Sequence, residues 1–302
     1  MELEKKFDEE GDMLTKMVKY YNKKVRGDLP DHKRGDKAWS DARREMITAE
    51  RFSEVSGRID PAGNPTRTPL SNLVMRYLHK PTNLDQVQRQ SRRTHLGDRY
   101  KTHLEGTSED TKIKITYPGI RKIPYYDMLG AAPHAMATVS KNGASYRYVA
   151  IFKDCKSLKS TPLDRAITNG NRKVPLRLND ETKQCYVPND HNCWYETEGL
   201  MRAYPDAAGC HYVVFGKKTD DVLHVPIPIP NPPEPNPYKH VTDEVLKNLQ
   251  DYYLGAILPE LALSRQDEGL DLRAKSLSKD EIEKLKQQLS DPVDERLQGN
   301  ET

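Results

Sequence analysis

Asn142-Gly143 sits between two strand-like runs, 136–141 and 145–152. Both residues tolerate positive φ, which a two-residue type I′ turn requires. The pair predicts a β-hairpin, and its surroundings extend the hairpin into a block over 111–229. That block opens with Lys-Ile-Lys-Ile-Thr-Tyr (112–117), alternating polar and apolar residues at the strand period. Further strand candidates are 183–187, 192–197, 211–215 and 221–225, separated by connectors rich in Gly, Pro and Asn. Strands at this spacing, with no long helical pattern between them, predict an antiparallel sheet or barrel.

Helical patterns flank the block. Over 4–24, Phe7, Met13, Leu14, Met17, Val18 and Tyr21 share a face. Ser40 is placed to cap a second helix, with Ala42, Met46, Ile47 and Val55 inward. Thr68-Pro69 opens a short helix as cap and first residue, stopped by Pro81. Asn83 starts a polar helix reaching about Tyr100. Seven prolines fall within 225–238, predicting an extended, stiff arm. Beyond the arm, Thr242 caps a helix carrying Val245, Leu246, Leu249, Tyr253 and Ile257, closed by Pro259. Leu277-Ser278-Lys279-Asp280-Glu281-Ile282 reads as a capping box with a hydrophobic staple. The expected fold class is α+β, in three parts: a helical basic region (1–106), an antiparallel β domain (107–226), and a proline-rich arm with C-terminal helices (227–302).

Charge is unevenly spread. Residues 111–240 carry 18 basic and 12 acidic side chains, whereas 241–302 carry 8 and 14. A basic middle and an acidic tail suit anionic ligands, or contacts between copies of the chain. Hydrophobic residues make up 35% of the chain, and 16 Tyr stand against 4 Phe. That balance favours half-buried, interface-rich surfaces. The N-terminus is charged, no run is apolar enough for a membrane helix, and four cysteines are too few for a secreted disulfide scaffold. The expected setting is intracellular, in cytoplasm, nucleus or a particle, with no membrane association.

Few motifs carry chemistry. Cys185, His191, Cys193, Cys210 and His211 cluster in sequence, but their spacings match no zinc pattern, so no metal and no cofactor is expected. On a strand, Cys193 and His191 would share a face, without a recognisable nucleophile signature. Asp154, Asp164, Asp180 and Glu181 form no motif. The basic stretch is more substantial: Arg76, Lys80, Arg89, Arg92, Arg93, Arg99 and Lys101 are candidate nucleic-acid or phosphate ligands. Three of these arginines project from one helix face, where planar guanidinium forks suit phosphate.

The leading expectation is a non-enzymatic structural or assembly protein within a larger complex, such as a viral particle or nucleoprotein. It would contact protein partners or its own copies through 227–302. One alternative is a nucleic-acid-binding protein using the 76–101 face; another is a nucleic-acid-processing enzyme.

Overall fold

The computed structural model describes residues 2–26, 28–29, 37–56, 83–108, 110–155, 158, 161–171, 174–218, 220–228, 238–263 and 277–290. The fold is α+β, and the chain divides into two compact units. The helix predicted at Thr68-Pro69, residues Arg76 and Lys80, and the prolines from Pro230 to Pro237 lie outside the described residues.

One unit is helical and draws on both ends of the chain. Helix Glu2–Lys24 packs against Leu258–Leu263 and Lys279–Ser290, with Met17, Tyr21, Leu258, Leu261, Ile282 and Leu285 buried. The capping box forms as read: the Ser278 N–H donates to Glu281 Oε2 at 2.6 Å, and the Glu281 N–H returns to Ser278 Oγ at 3.4 Å. Pro259 does not close the preceding helix as expected. A π-helical turn, Tyr253–Ile257, leads directly into Leu258–Leu263. Proline has no N–H for the Gly255 carbonyl, and the Leu277 N–H supplies that bond instead at 2.8 Å. The apolar residues of this segment, from Tyr252 to Ala262, are buried within the chain.

The other unit holds the sheets. Its strands are β1 (Ile47–Thr48), β2 (Lys112–Thr116), β3 (Arg121–Ile123), β4 (Tyr126–Ala131), β5 (Ala135–Lys141), β6 (Ala144–Asp154), β7 (Arg177–Leu178), β8 (Cys185–Tyr186), β9 (Gly209–Phe215) and β10 (Val222–Pro228). The main sheet has the order β10-β9-β6-β5-β2. The turn between β5 and β6 forms at Asn142 and Gly143, with φ of +51° and +78°. The sheet is mixed rather than antiparallel throughout, because β6 and β9 run parallel. A parallel pair needs a crossover, and helices Leu163–Thr168 and Cys193–Ala203 lie within it. Pro226 and Pro228 fall inside edge strand β10, where a missing donor costs no central ladder bond.

Residues 192–197 are therefore not a strand. Trp194, Tyr195 and Thr197 favour a strand locally, but eight residues of helix Cys193–Ala203 are buried, 196–201 without a break, and packing overrides propensity. Gly199 permits a close approach: a Cβ there would lie 2.7 Å from Ala49 Cβ and 2.9 Å from Phe52 Cε2. Ser40 is internal to helix Lys37–Arg44 instead of capping it.

Helix Asn83–Glu105 covers one face of the main sheet. Leu96, Tyr100 and Leu104 pack there with Ala135, Ala150, Phe152, Val213 and Phe215. Helix Cys193–Ala203 lies toward the opposite face, beside Lys153 and Cys210.

Candidate functional site

Strand alternation decides what meets at the end of β6. Phe152 and Asp154 face helix Asn83–Glu105, while Lys153 faces helix Cys193–Ala203. A cleft of about 650 Å³ opens there, lined by Glu50, Arg92, Arg93, His134, Lys153, Asp154, His191, Cys193, Glu196 and Tyr212 among others.

Glu196 is the centre of its charge. One carboxylate oxygen accepts from the Lys153 ammonium at 2.6 Å. The other lies 4.0 Å from His134 Nδ1. The His134 ring stacks on Phe152 with centroids 6.0 Å apart, and its backbone N–H is fixed by the Ala150 carbonyl. Glu196 is only 9% exposed, so its pairing with Lys153 is stronger than a surface pair would be. On the other wall, Arg92 Nε and Nη2 both donate to Asp154 Oδ2, at 3.0 and 2.7 Å. Arg93 and Arg43 lie over the Trp39 ring, 5.9 and 5.3 Å from its centroid.

The expected basic residues part company. Arg92 and Arg93 line the cleft. Arg99 is turned inward and is 9% exposed. Its guanidinium donates to the carbonyls of Gly216, Lys218 and Asp221 and lies 5.1 Å over the Phe215 ring. Lys101 is exposed, 3.9 Å from Glu105. Arg89 lies on the helix, its side chain outside the described residues.

The Cys/His group does not gather. Cys210 and His211 are consecutive on β9 and so point to opposite faces. Cys210 sits near Cys193, Glu196 and Thr197, whereas His211 packs on Tyr148, Tyr100 and His224. His191 is not paired with the Cys193 thiol across a strand: its Nδ1 accepts the Cys193 backbone N–H at 3.1 Å. Burial pushes the Cys193 thiol up to about 12 and the Cys155 thiol up to about 11, so neither is a thiolate nucleophile at neutral pH. Asp164, Asp180 and Glu181 are exposed. Among the described residues, no group of three or more His, Cys, Asp or Glu side chains is placed to share a metal ion.

Lys153, Glu196 and His134 were not singled out from sequence. The signal for Lys153 was its place directly after the apolar run 149–152. Glu196 was masked by reading 192–197 as a strand.

Among the described residues, no helix is long and apolar enough to cross a membrane. No family model and no curated protein matches the chain. Among solved structures, it is similar to an alkaline exonuclease (LHK-Exo) from Laribacter hongkongensis, with 12% identity, 77% of this chain and 97% of that chain covered, and a TM-score of 0.45. At that score the likeness assigns no role, and nothing in it supports the expected non-enzymatic structural or assembly protein.

Proposed function

We propose that the protein is a nucleic-acid-processing enzyme whose cleft at the end of β6 binds and hydrolyses a phosphodiester. The observation that carries this reading is the Lys153–Glu196 pair beside His134, in a cleft with Arg92 and Arg93 at its wall. Phosphodiester hydrolysis needs cations for the charge that develops on the phosphate oxygens. Lys153 and Arg93 are the cations with reach. It also needs a base to take a proton from the attacking water and an acid for the leaving alkoxide. Glu196 is the base in this reading and His134 the acid. The four free cysteines suit a reducing, intracellular compartment.

The test is cleavage of labelled single- and double-stranded DNA and RNA by the full chain, with Mg²⁺, with Mn²⁺ and with chelator. Both ions are included because Mg²⁺ is often held by one or two carboxylates together with substrate phosphates. Lys153→Met and Glu196→Gln should each reduce cleavage about 100-fold or more. Wild-type protein inert on every substrate, or variants as active as wild type, would refute the reading. Binding without cleavage would leave a nucleic-acid-binding protein.

A further inference from the structure

We infer that the opposite end of the same sheet is a second contact surface, for single-stranded nucleic acid, built from a basic strand face and an aromatic finger. The inference rests on the reading of the cleft as a nucleic-acid site and extends it to how the strand is held.

Register places the basic face. Lys112 pairs with Ser140, which pairs with Ser145, and Lys114 pairs with Thr138, which pairs with Arg147. Paired residues share a face, and the 2.6 Å contact between Ser140 Oγ and Ser145 Oγ confirms it. Lys112, Lys114, Ser145 and Arg147 are exposed, and these two rows contain no acidic residue. The face offers Lys112 and Lys114 among hydroxyls, with Arg147 held on Asp206 beside them, at a spacing that an extended phosphate backbone can follow.

The aromatic finger is anchored beside that face. Asp206 accepts from Arg147 and from Arg121 at 2.8 Å each, tying β6 to the base of the β3–β4 hairpin. Arg121 also lies 4.8 Å over the Tyr204 ring. The hairpin turns through Pro124 and Tyr125. Proline first and a positive φ second is the type II pattern, in which the second position favours Gly or Asn. Tyr125 occupies it at φ +70° with its whole side chain exposed. The fold gains nothing from a tyrosine there. A bare ring on a hairpin tied to the basic strand, through Arg121, Asp206 and Arg147, is a pairing that stacks an unpaired base while cations hold its phosphates. Arg147 and Lys153 lie on one strand roughly 20 Å apart, a span that several extended nucleotides cover.

The experiment is fluorescence anisotropy with a labelled oligodeoxythymidylate of about twelve nucleotides, run in parallel with a duplex and with a labelled polyglutamate peptide. Tyr125→Gly should raise the melting temperature yet weaken oligonucleotide binding about tenfold, a combination that a structural role cannot give. Lys112→Gln with Lys114→Gln should weaken it by a similar factor and flatten its salt dependence. Wild-type protein that binds the oligonucleotide while these variants bind equally well overturns this inference alone. Tighter binding of polyglutamate than of the oligonucleotide also overturns it, in favour of an acidic protein partner. Wild-type protein that neither binds nor cleaves nucleic acid removes the cleft reading as well.

Discussion

Acid should unfold this protein through two histidines packed under helix Asn83–Glu105, one buried and one half-buried. His211 and His224 lie 4.3 Å apart, centroid to centroid. Burial, with the charge of His224 as the lesser cause, pulls His211 down to about 3, and burial, with that of His103, pulls His224 down to about 4. Tyr100, Tyr148 and His103 are among the neighbours, and none of these is a carboxylate that would compensate a charged ring. Both folded values lie below the 6.5 of a free imidazole, so the unfolded chain binds more protons between them. Stability is therefore complete above pH 6.5 and falls as the pH drops toward the folded values. Over two pH units each ring forfeits about 2.7 kcal/mol, or about 5 kcal/mol for the pair by pH 4.5. That is comparable with the whole stability of a marginal domain. Urea unfolding from pH 7.5 to 4.5 measures the loss. His211→Gln keeps a hydrogen-bonding group for the Tyr100 hydroxyl and removes one titration, so its acid loss should be smaller by about half. An unchanged pH profile in that variant would refute the reasoning.

Two other outcomes are expected. Glu198 is buried and accepts backbone N–H bonds from Lys239, His240 and Val241, at 3.3, 2.8 and 2.7 Å, and a ring contact from His240 Nδ1 at 2.9 Å; Glu198→Ala should cost about 3–5 kcal/mol in urea unfolding, and Glu198→Gln clearly less. Replacing both Asn142 and Gly143 by Val should cost about 1–3 kcal/mol of thermal stability from backbone strain alone, since nothing lies within 4 Å of a Cβ at Gly143.

Local chemistry was legible where one or two residues decide the outcome. The Asn142-Gly143 turn, the Ser278–Glu281 box and the alternation of β2 all follow from short-range preferences. Tertiary choices were not. Pro259 looked like a helix end because a sequence cannot show that Leu277 would supply the missing donor. Residues 192–197 looked like a strand because their aromatic residues do not reveal which face a distant sheet will cover. The same error hid the cleft, since Glu196 meets Lys153 only if its segment is helical and crosses the sheet. Arg92 and Arg99 illustrate the remaining limit: they lie seven residues apart on one helix, and only the loop after β9 determines that Arg99 is consumed by carbonyls.

The helical unit joins Glu2–Lys24 to segments beyond Leu258. On a growing chain, the helix bearing Met17 and Tyr21 is made long before the residues that cover it. The strands from Lys112 to Pro228 have their partners nearer in sequence and can condense while that helix still waits. Its apolar stripe stays open until the segments beyond Leu258 are made, so the helical unit depends on a late closure, and on whatever shields the stripe until then.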